Sequence, residues 1–132
     1  MIGIDTNVVV RYLAQDDNKQ AAVATRFMEK VISAAEPGYI SLIVLVEVVW
    51  VLTSCYSTTR PQVVDIVEGL LTTEQLRVEA AELVWRAVRR FADSKADFSD
   101  ALIAECSHSV GCAKTVTFDK GAASLPGMEL LG

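Results

Sequence analysis

Apolar residues along the chain fall into short runs and into stripes with helical spacing. Met1 to Ile4 is a short apolar segment that stops at Asp5, which predicts a strand followed by a polar turn or helix start at Asp5-Thr6-Asn7. Between Asp16 and Ala35, Ala21, Val23, Ala24, Phe27, Met28, Val31 and Ile32 recur at spacings of three and four, the pattern of a helix, and Pro37-Gly38 closes it. Tyr39 to Ser41 reads as a short strand. In Leu42 to Tyr56 the β-branched content blurs helix and strand, and length favours a helix. Thr59 with Pro61 marks another helix start, whose stripe Val63, Val64, Ile66, Val67, Leu70 and Leu71 runs to Thr72. Leu76 and Val78 suggest a strand, Ala80 to Ala92 a helix, Ser99 to Gly111 a further helix, and Ala113 to Phe118 a last strand. Strands that alternate with helices too long for hairpin connections imply an α/β fold with a mainly parallel sheet covered by helices on both faces. No repeat or linker interrupts the pattern, so residues 1–132 are expected to form a single domain.

Composition narrows the class. The chain is 52% apolar and 22% charged with 7 Gly and 3 Pro, which excludes collagen-like and disordered readings. Its net charge of -5 is not that of a non-specific polyanion binder, so any nucleic acid must meet a local patch. The longest uncharged apolar run, Tyr39 to Val46, falls short of the ~20 residues of a membrane span. With Asp5 too early for a signal sequence, a cytosolic protein without membrane contact is expected. Cys55, Cys106 and Cys112 are odd in number and lie in apolar or small-residue stretches, as expected of reduced, mostly buried thiols. No CxxC pattern exists, and His108, the single histidine, stands two positions from Cys106 and would face away from it on a helix. Two-histidine and Cys-His chemistries are thereby set aside.

The carboxylates remain. Ligands of an open parallel sheet bind outside the carboxyl ends of its strands, where Asp5 and Asp119 both stand. Either alone could be an ordinary turn aspartate. Glu47 is the only charge between Pro37 and Arg60, and its neighbours on a helix are Ile43, Val44, Trp50 and Val51, so it is not expected on a solvated face. Burying an unpaired carboxylate costs several kcal/mol, which calls for a metal, a cation such as Arg11 or Arg60, or an end-on reach to water. Asp97 and Asp100 are three apart at the start of a helix, where Asp97 or Ser99 could be an N-cap and Asp100 could complement the helix dipole.

Carboxylates from separate segments, without paired thiols or a second histidine, form an oxygen-only ligand set suited to Mg2+ or Mn2+. Such a set fits metal-assisted phosphodiester hydrolysis, with activated water as the nucleophile. Among weaker signals, Arg86, Arg89 and Arg90 read as one helix face that could contact phosphates or simply be solvated. Trp50, Trp85 and Tyr12 sit in apolar periods and read as core or interface packing.

The segments Ile4-Asp5-Thr6-Asn7-Val8, Val46-Glu47-Val48-Val49-Trp50, Ala96-Asp97-Phe98-Ser99-Asp100-Ala101-Leu102-Ile103-Ala104 and Thr115-Val116-Thr117-Phe118-Asp119 together resemble a PIN domain of the VapC toxin type. The four motifs stand in the family's order over practically the whole chain. The resemblance implies a three-layer α/β/α fold and a Mg2+- or Mn2+-dependent ribonuclease, held inactive by a cognate antitoxin and usually a homodimer. Carried over by position, it implies Asp5, Glu47, Asp100 and Asp119 as the acidic core, with Asp97 as a further acidic residue near the metal. Asn7 and Thr117 match supporting polar positions. Lys120 and Ser94-Lys95 depart from the common pattern without touching the acidic residues, and bear on the RNA-contacting surface instead.

Structured RNA such as tRNA or ribosomal RNA is the substrate class the resemblance implies, in the cytoplasm. The alternative from another class is a catalytically inactive, metal-dependent module that binds RNA or a partner. An aspartate phosphotransfer domain also collects carboxylates at strand ends but leaves Glu47 unexplained.

Overall fold

In the computed structural model, which describes residues 1–132, the chain divides after Glu79 into two units, Met1–Glu79 and Ala80–Gly132. The first is a three-stranded parallel sheet with four helices. Strand β1 (Ile2–Gly3) pairs with β2 (Gly38–Ile40), which pairs in turn with β3 (Leu76–Val78), in the order β1-β2-β3. Gly38, on the central strand, faces Ile2 on one side and Leu76 on the other. A Cβ there would meet the ends of the Ile4, Ile32 and Leu76 side chains, so anything larger than glycine must displace packed core groups.

Helix α1 (Thr6–Ala14) starts directly after the strand because Asp5, in an extended conformation, caps it. It stops where Gln15 turns left-handed and returns its N–H to the Arg11 carbonyl at 3.2 Å. The helix expected over Asp16 to Ala35 is shorter and in two parts. Asp17 caps α2 (Asn18–Arg26) through the Gln20 N–H at 3.0 Å, and a π-helical turn over Phe27–Val31 ends with the Ile32 N–H on the Phe27 carbonyl. Ser41 caps α3 (Leu42–Cys55) and settles its helical state, and Thr59 with Gln62 forms a capping box for α4 (Arg60–Thr72), with Pro61 in the first turn. Val9, Met28, Ile40, Leu45, Val48, Val63 and Val67 are among its fully buried side chains.

The second unit opens at Ala80, whose left-handed backbone (φ 49°) precedes α5 (Ala81–Ala92). Helix α5 packs on α6 (Phe98–Ser109), with the Phe91 and Phe98 rings edge to face, centroids 5.9 Å apart. Gly111, at φ 96°, ends that helical region, and β4 (Thr115–Thr117) pairs in parallel with β5 (Met128–Leu130) around a 3-10 turn at Ala122–Ser124. All strand pairing is parallel as expected, divided between a three-stranded and a two-stranded sheet. No helix is long and apolar enough to cross a membrane.

Candidate active site

In the first unit the polar triplet after β1 does two jobs. Asp5 Oδ1 accepts the Thr6 N–H at 2.8 Å, starting α1, and the Thr6 hydroxyl, almost wholly buried, donates to Glu47 Oε1 at 3.0 Å. Thr6 thus links the first turn of α1 to the second turn of α3 and fixes where the Glu47 carboxylate lies. The chain pattern singled out Asp5, and the family resemblance added Asn7, while Thr6 was read only as part of the polar triplet, with no role of its own. Exposed Asn7 stands beside Asp5 along an open cleft of about 760 Å³ whose other walls include Ile4, Val8, Arg11 and Phe27.

Glu47 departs from expectation. It is exposed, and on its face of α3 Ile43 is 75% and Trp50 64% exposed, while Leu45, Val48, Val49 and Leu52 face the core. Helix α3 is apolar nearly all round, so periodicity could not say which side is solvated. Trp50 is accordingly not core. Arg11 does not pair with Glu47; its guanidinium bonds Gln20 and Tyr56 and lies 3.7 Å from Asp16. The Tyr56 hydroxyl donates to Asp16 at 2.6 Å, which holds the Asp16 carboxyl below and the Tyr56 phenol above its ordinary range.

In the second unit Asp97 is the N-cap of α6, and its N–H donates to Asp100 Oδ2 at 3.4 Å. Asp119 follows β4 by two residues and closes the next turn: its Oδ1 accepts from Gly121 N–H at 2.7 Å and Ala122 N–H at 3.1 Å. Its own N–H donates to the Thr117 hydroxyl at 3.0 Å, so Thr117 braces the backbone that presents the carboxylate. Asp100 is half-buried, and burial pushes its carboxyl above the ordinary range. The negative charges of Asp97 and Asp119 push the same way, against the pull of the Asp97 N–H. Asp97, Asp100 and Asp119 are therefore an electrostatic group, brought together by the start of α6 and the end of β4.

Within neither unit do three Asp, Glu, His or Cys side chains gather closely enough to hold an ion by themselves. Mg2+ keeps several waters and takes only one or two carboxylates directly, and the hard oxygen donors of Asp100 and Asp119 suit it in kind. Positive charge beside Asp100 would offset both the burial that chiefly raises its pKa and the smaller repulsion from Asp97 and Asp119.

A family model described as a PIN domain matches residues 2–127. The chain belongs to the PIN domain family. The match runs through both units and takes in every candidate acidic residue from Asp5 to Asp119. A VapC ribonuclease of Aquifex aeolicus (strain VF5) is 23% identical over 117 residues, 89% of this chain and 86% of that protein. Both findings bear out the resemblance to VapC-type PIN domains, and family membership bears out the α/β/α fold class.

Other parts of this PIN domain need correction against the sequence pattern. Arg90 does not share a face with Arg86 and Arg89; it turns inward to the carboxylate of Glu105, which is 2% exposed, and its Nη1 donates to the Pro126 carbonyl at 3.0 Å. The contact is an ion pair in which Glu105 Oε1 receives no aligned hydrogen bond. Nothing in the pattern around Ala104-Glu105-Cys106 announced a buried charge. The cysteines are free as expected, but Cys55 and Cys112 are exposed, because α3 ends at one and the other follows the Gly111 turn.

Proposed function

We propose that this PIN domain is a Mg2+- or Mn2+-dependent endoribonuclease, the toxin of a type II toxin-antitoxin module, which cuts structured RNA such as tRNA or ribosomal RNA with an activated water. Asp5, Glu47, Asp100 and Asp119 are its acidic residues for the reaction, and Asp97 is a further acidic residue toward the metal. A bound divalent cation would supply the charge that neutralises a phosphodiester and makes water a nucleophile near neutral pH. Thr6 holds Glu47, Thr117 braces Asp119, and Asn7 is a supporting polar group beside Asp5.

The observation that carries this reading is the grouping of Asp97, Asp100 and Asp119 at the start of α6 and the end of β4, where burial first and the two neighbouring charges second raise the pKa of Asp100, in a chain matched to the PIN family over almost its whole length. Carboxylates kept in mutual repulsion are characteristic of sites that work on charge. The VapC ribonuclease relative supports RNA as substrate, and an antitoxin partner follows from the resemblance to VapC-type toxins. The protein acts in the cytoplasm as a single-domain subunit of a homodimer.

The deciding experiment incubates the purified chain with end-labelled bacterial tRNA and ribosomal RNA in Mg2+ or Mn2+, beside EDTA and Asp119→Asn controls. Discrete cuts that vanish in both controls establish the nuclease. Intact RNA that is nevertheless bound would replace it with the non-catalytic module.

A further inference from the structure

Helix α5 carries three arginines in its last two turns, and the fold treats them differently. Arg90 is consumed by Glu105 and Pro126. Arg86 and Arg89 are exposed, and their guanidiniums make no hydrogen bond or ion pair within the protein, even though Glu82 stands one helical turn before Arg86. The inward positions Val84, Ala87, Val88 and Phe91 already anchor the helix, so the outer face is not needed for folding. Together Glu82, Trp85, Arg86 and Arg89 line a surface hollow of about 350 Å³, with Trp85 partly exposed.

We infer that this outer face of α5 holds single-stranded RNA, with Arg86 and Arg89 on successive phosphates and the Trp85 indole against a base. The inference rests on the ribonuclease reading for its ligand but uses none of the acidic residues. Its warrant is charge and chemistry. In a chain with 12 basic and 17 acidic residues, a pair of uncommitted guanidiniums is a local exception to the overall sign. Guanidinium suits phosphate because its fork of donors matches paired oxygens, and an indole beside such groups offers the stacking surface that single strands use. Favourable placement of Arg89 near the negative end of the helix dipole accounts for neither Arg86 nor the half-open tryptophan. Glu82 repels phosphates at the N-terminal end of the hollow, so the strand is held toward Arg86 and Arg89.

The test uses the full chain carrying Asp100→Asn, in EDTA, with a fluorescein-labelled mixed-sequence single-stranded RNA oligonucleotide. Adding Arg86→Gln with Arg89→Gln is expected to weaken binding and to flatten the slope of log affinity against log salt by about 1.4, two phosphates at ~0.7 each. Between 50 and 200 mM salt that corresponds to roughly 7-fold less salt sensitivity. Trp85→Ala should lose about 5-fold or more in affinity while Trp85→Phe keeps it. In the otherwise wild-type chain with Mg2+, the double arginine variant should raise KM for RNA, leave kcat, and leave hydrolysis of bis(4-nitrophenyl) phosphate unchanged.

Unaltered affinity and salt slope would overturn the inference and leave the nuclease standing. So would a double variant that changes sedimentation mass but not RNA binding, which would make the face a contact between copies of the chain. If the wild type cuts neither RNA nor the small diester, the ribonuclease reading fails, and the binding arms then judge the strip alone.

Discussion

The two units differ in what surrounds their candidate acidic residues. In the first, each candidate site carboxylate is answered by a neutral donor: Asp5 by the Thr6 N–H and Glu47 by the Thr6 hydroxyl. Its ion pairs, Met1 with Glu36 and Arg11 with Asp16, lie at the surface. In the second, Asp97 and Asp119 set like charge against the half-buried Asp100, and beside a surface pair of Lys114 with Glu129 an ion pair with a buried carboxylate, Arg90 with Glu105, joins α5 to α6. Both units position their candidate carboxylates by hydrogen bonds from neutral donors, but only the second also sets like charges against one another, at Asp100. Metal affinity is therefore expected to be governed by the second unit and Glu47 placement by the first.

The largest effect that tests this contrast is loss of hydrolysis in Asp119→Asn, expected to exceed the ~10–100-fold typical of residues that only support metal ligands. Far-ultraviolet circular dichroism should be unchanged, and full activity would remove Asp119 from the reaction. Next, Arg90→Ala strands the buried Glu105 charge and should cost about 3 kcal/mol, whereas Arg11→Ala in the first unit should cost under about 1 kcal/mol by chemical denaturation. Equal losses would erase the distinction between the units. Thr6→Val frees Glu47 and should slow cleavage roughly 10–100-fold, with Thr6→Ser restoring it; a valine variant at full rate would show that Glu47 needs no anchor.

Asp100→Asn should raise thermal stability while it abolishes activity. With its carboxyl pushed up, native Asp100 holds a proton more tightly than the unfolded chain, so stability falls as pH rises from 3.8 through the native value. The stabilisation by asparagine should be complete at neutral pH and disappear below 3.8. The smallest effect belongs to Tyr56→Phe, which removes the bond that depresses Asp16. That contribution is present above 3.8 and fades as pH falls through the lowered Asp16 value; it is also lost when alkali ionises Tyr56 above 10.0. Melting curves across pH measure both.

The course of the chain was largely legible, because apolar stripes at three and four, Pro37-Gly38, and the Thr59–Pro61 start obey local rules. Asp5, Asp97 and Asp119 were legible for the same reason: each stands at a junction where local chemistry alone predicts a polar turn or cap. Glu47 was found as an anomaly and misplaced in depth, since a helix with apolar residues on every side has no periodicity from which to read its buried face. Thr6 escaped notice because its value lies in a partner 41 positions away. The sorting of Arg90 from Arg86 and Arg89 depends on Glu105 and Pro126, which no helical wheel of α5 contains. The division of the strands into two sheets, and β5 itself, depend on long-range pairing with little local signature.

Glu47 has a further consequence through its neighbours. Ile43 and Trp50 are open to solvent on either side of it, and no other charge lies between Pro37 and Arg60. Its carboxylate is thus the gatekeeper that breaks an otherwise continuous sticky ridge, the kind of surface that drives chains to aggregate during synthesis and storage. Replacement by alanine or leucine would confuse lost chemistry with lost yield. Glutamine, polar and of the same shape, separates a protein that cannot cut from one that cannot stay dissolved.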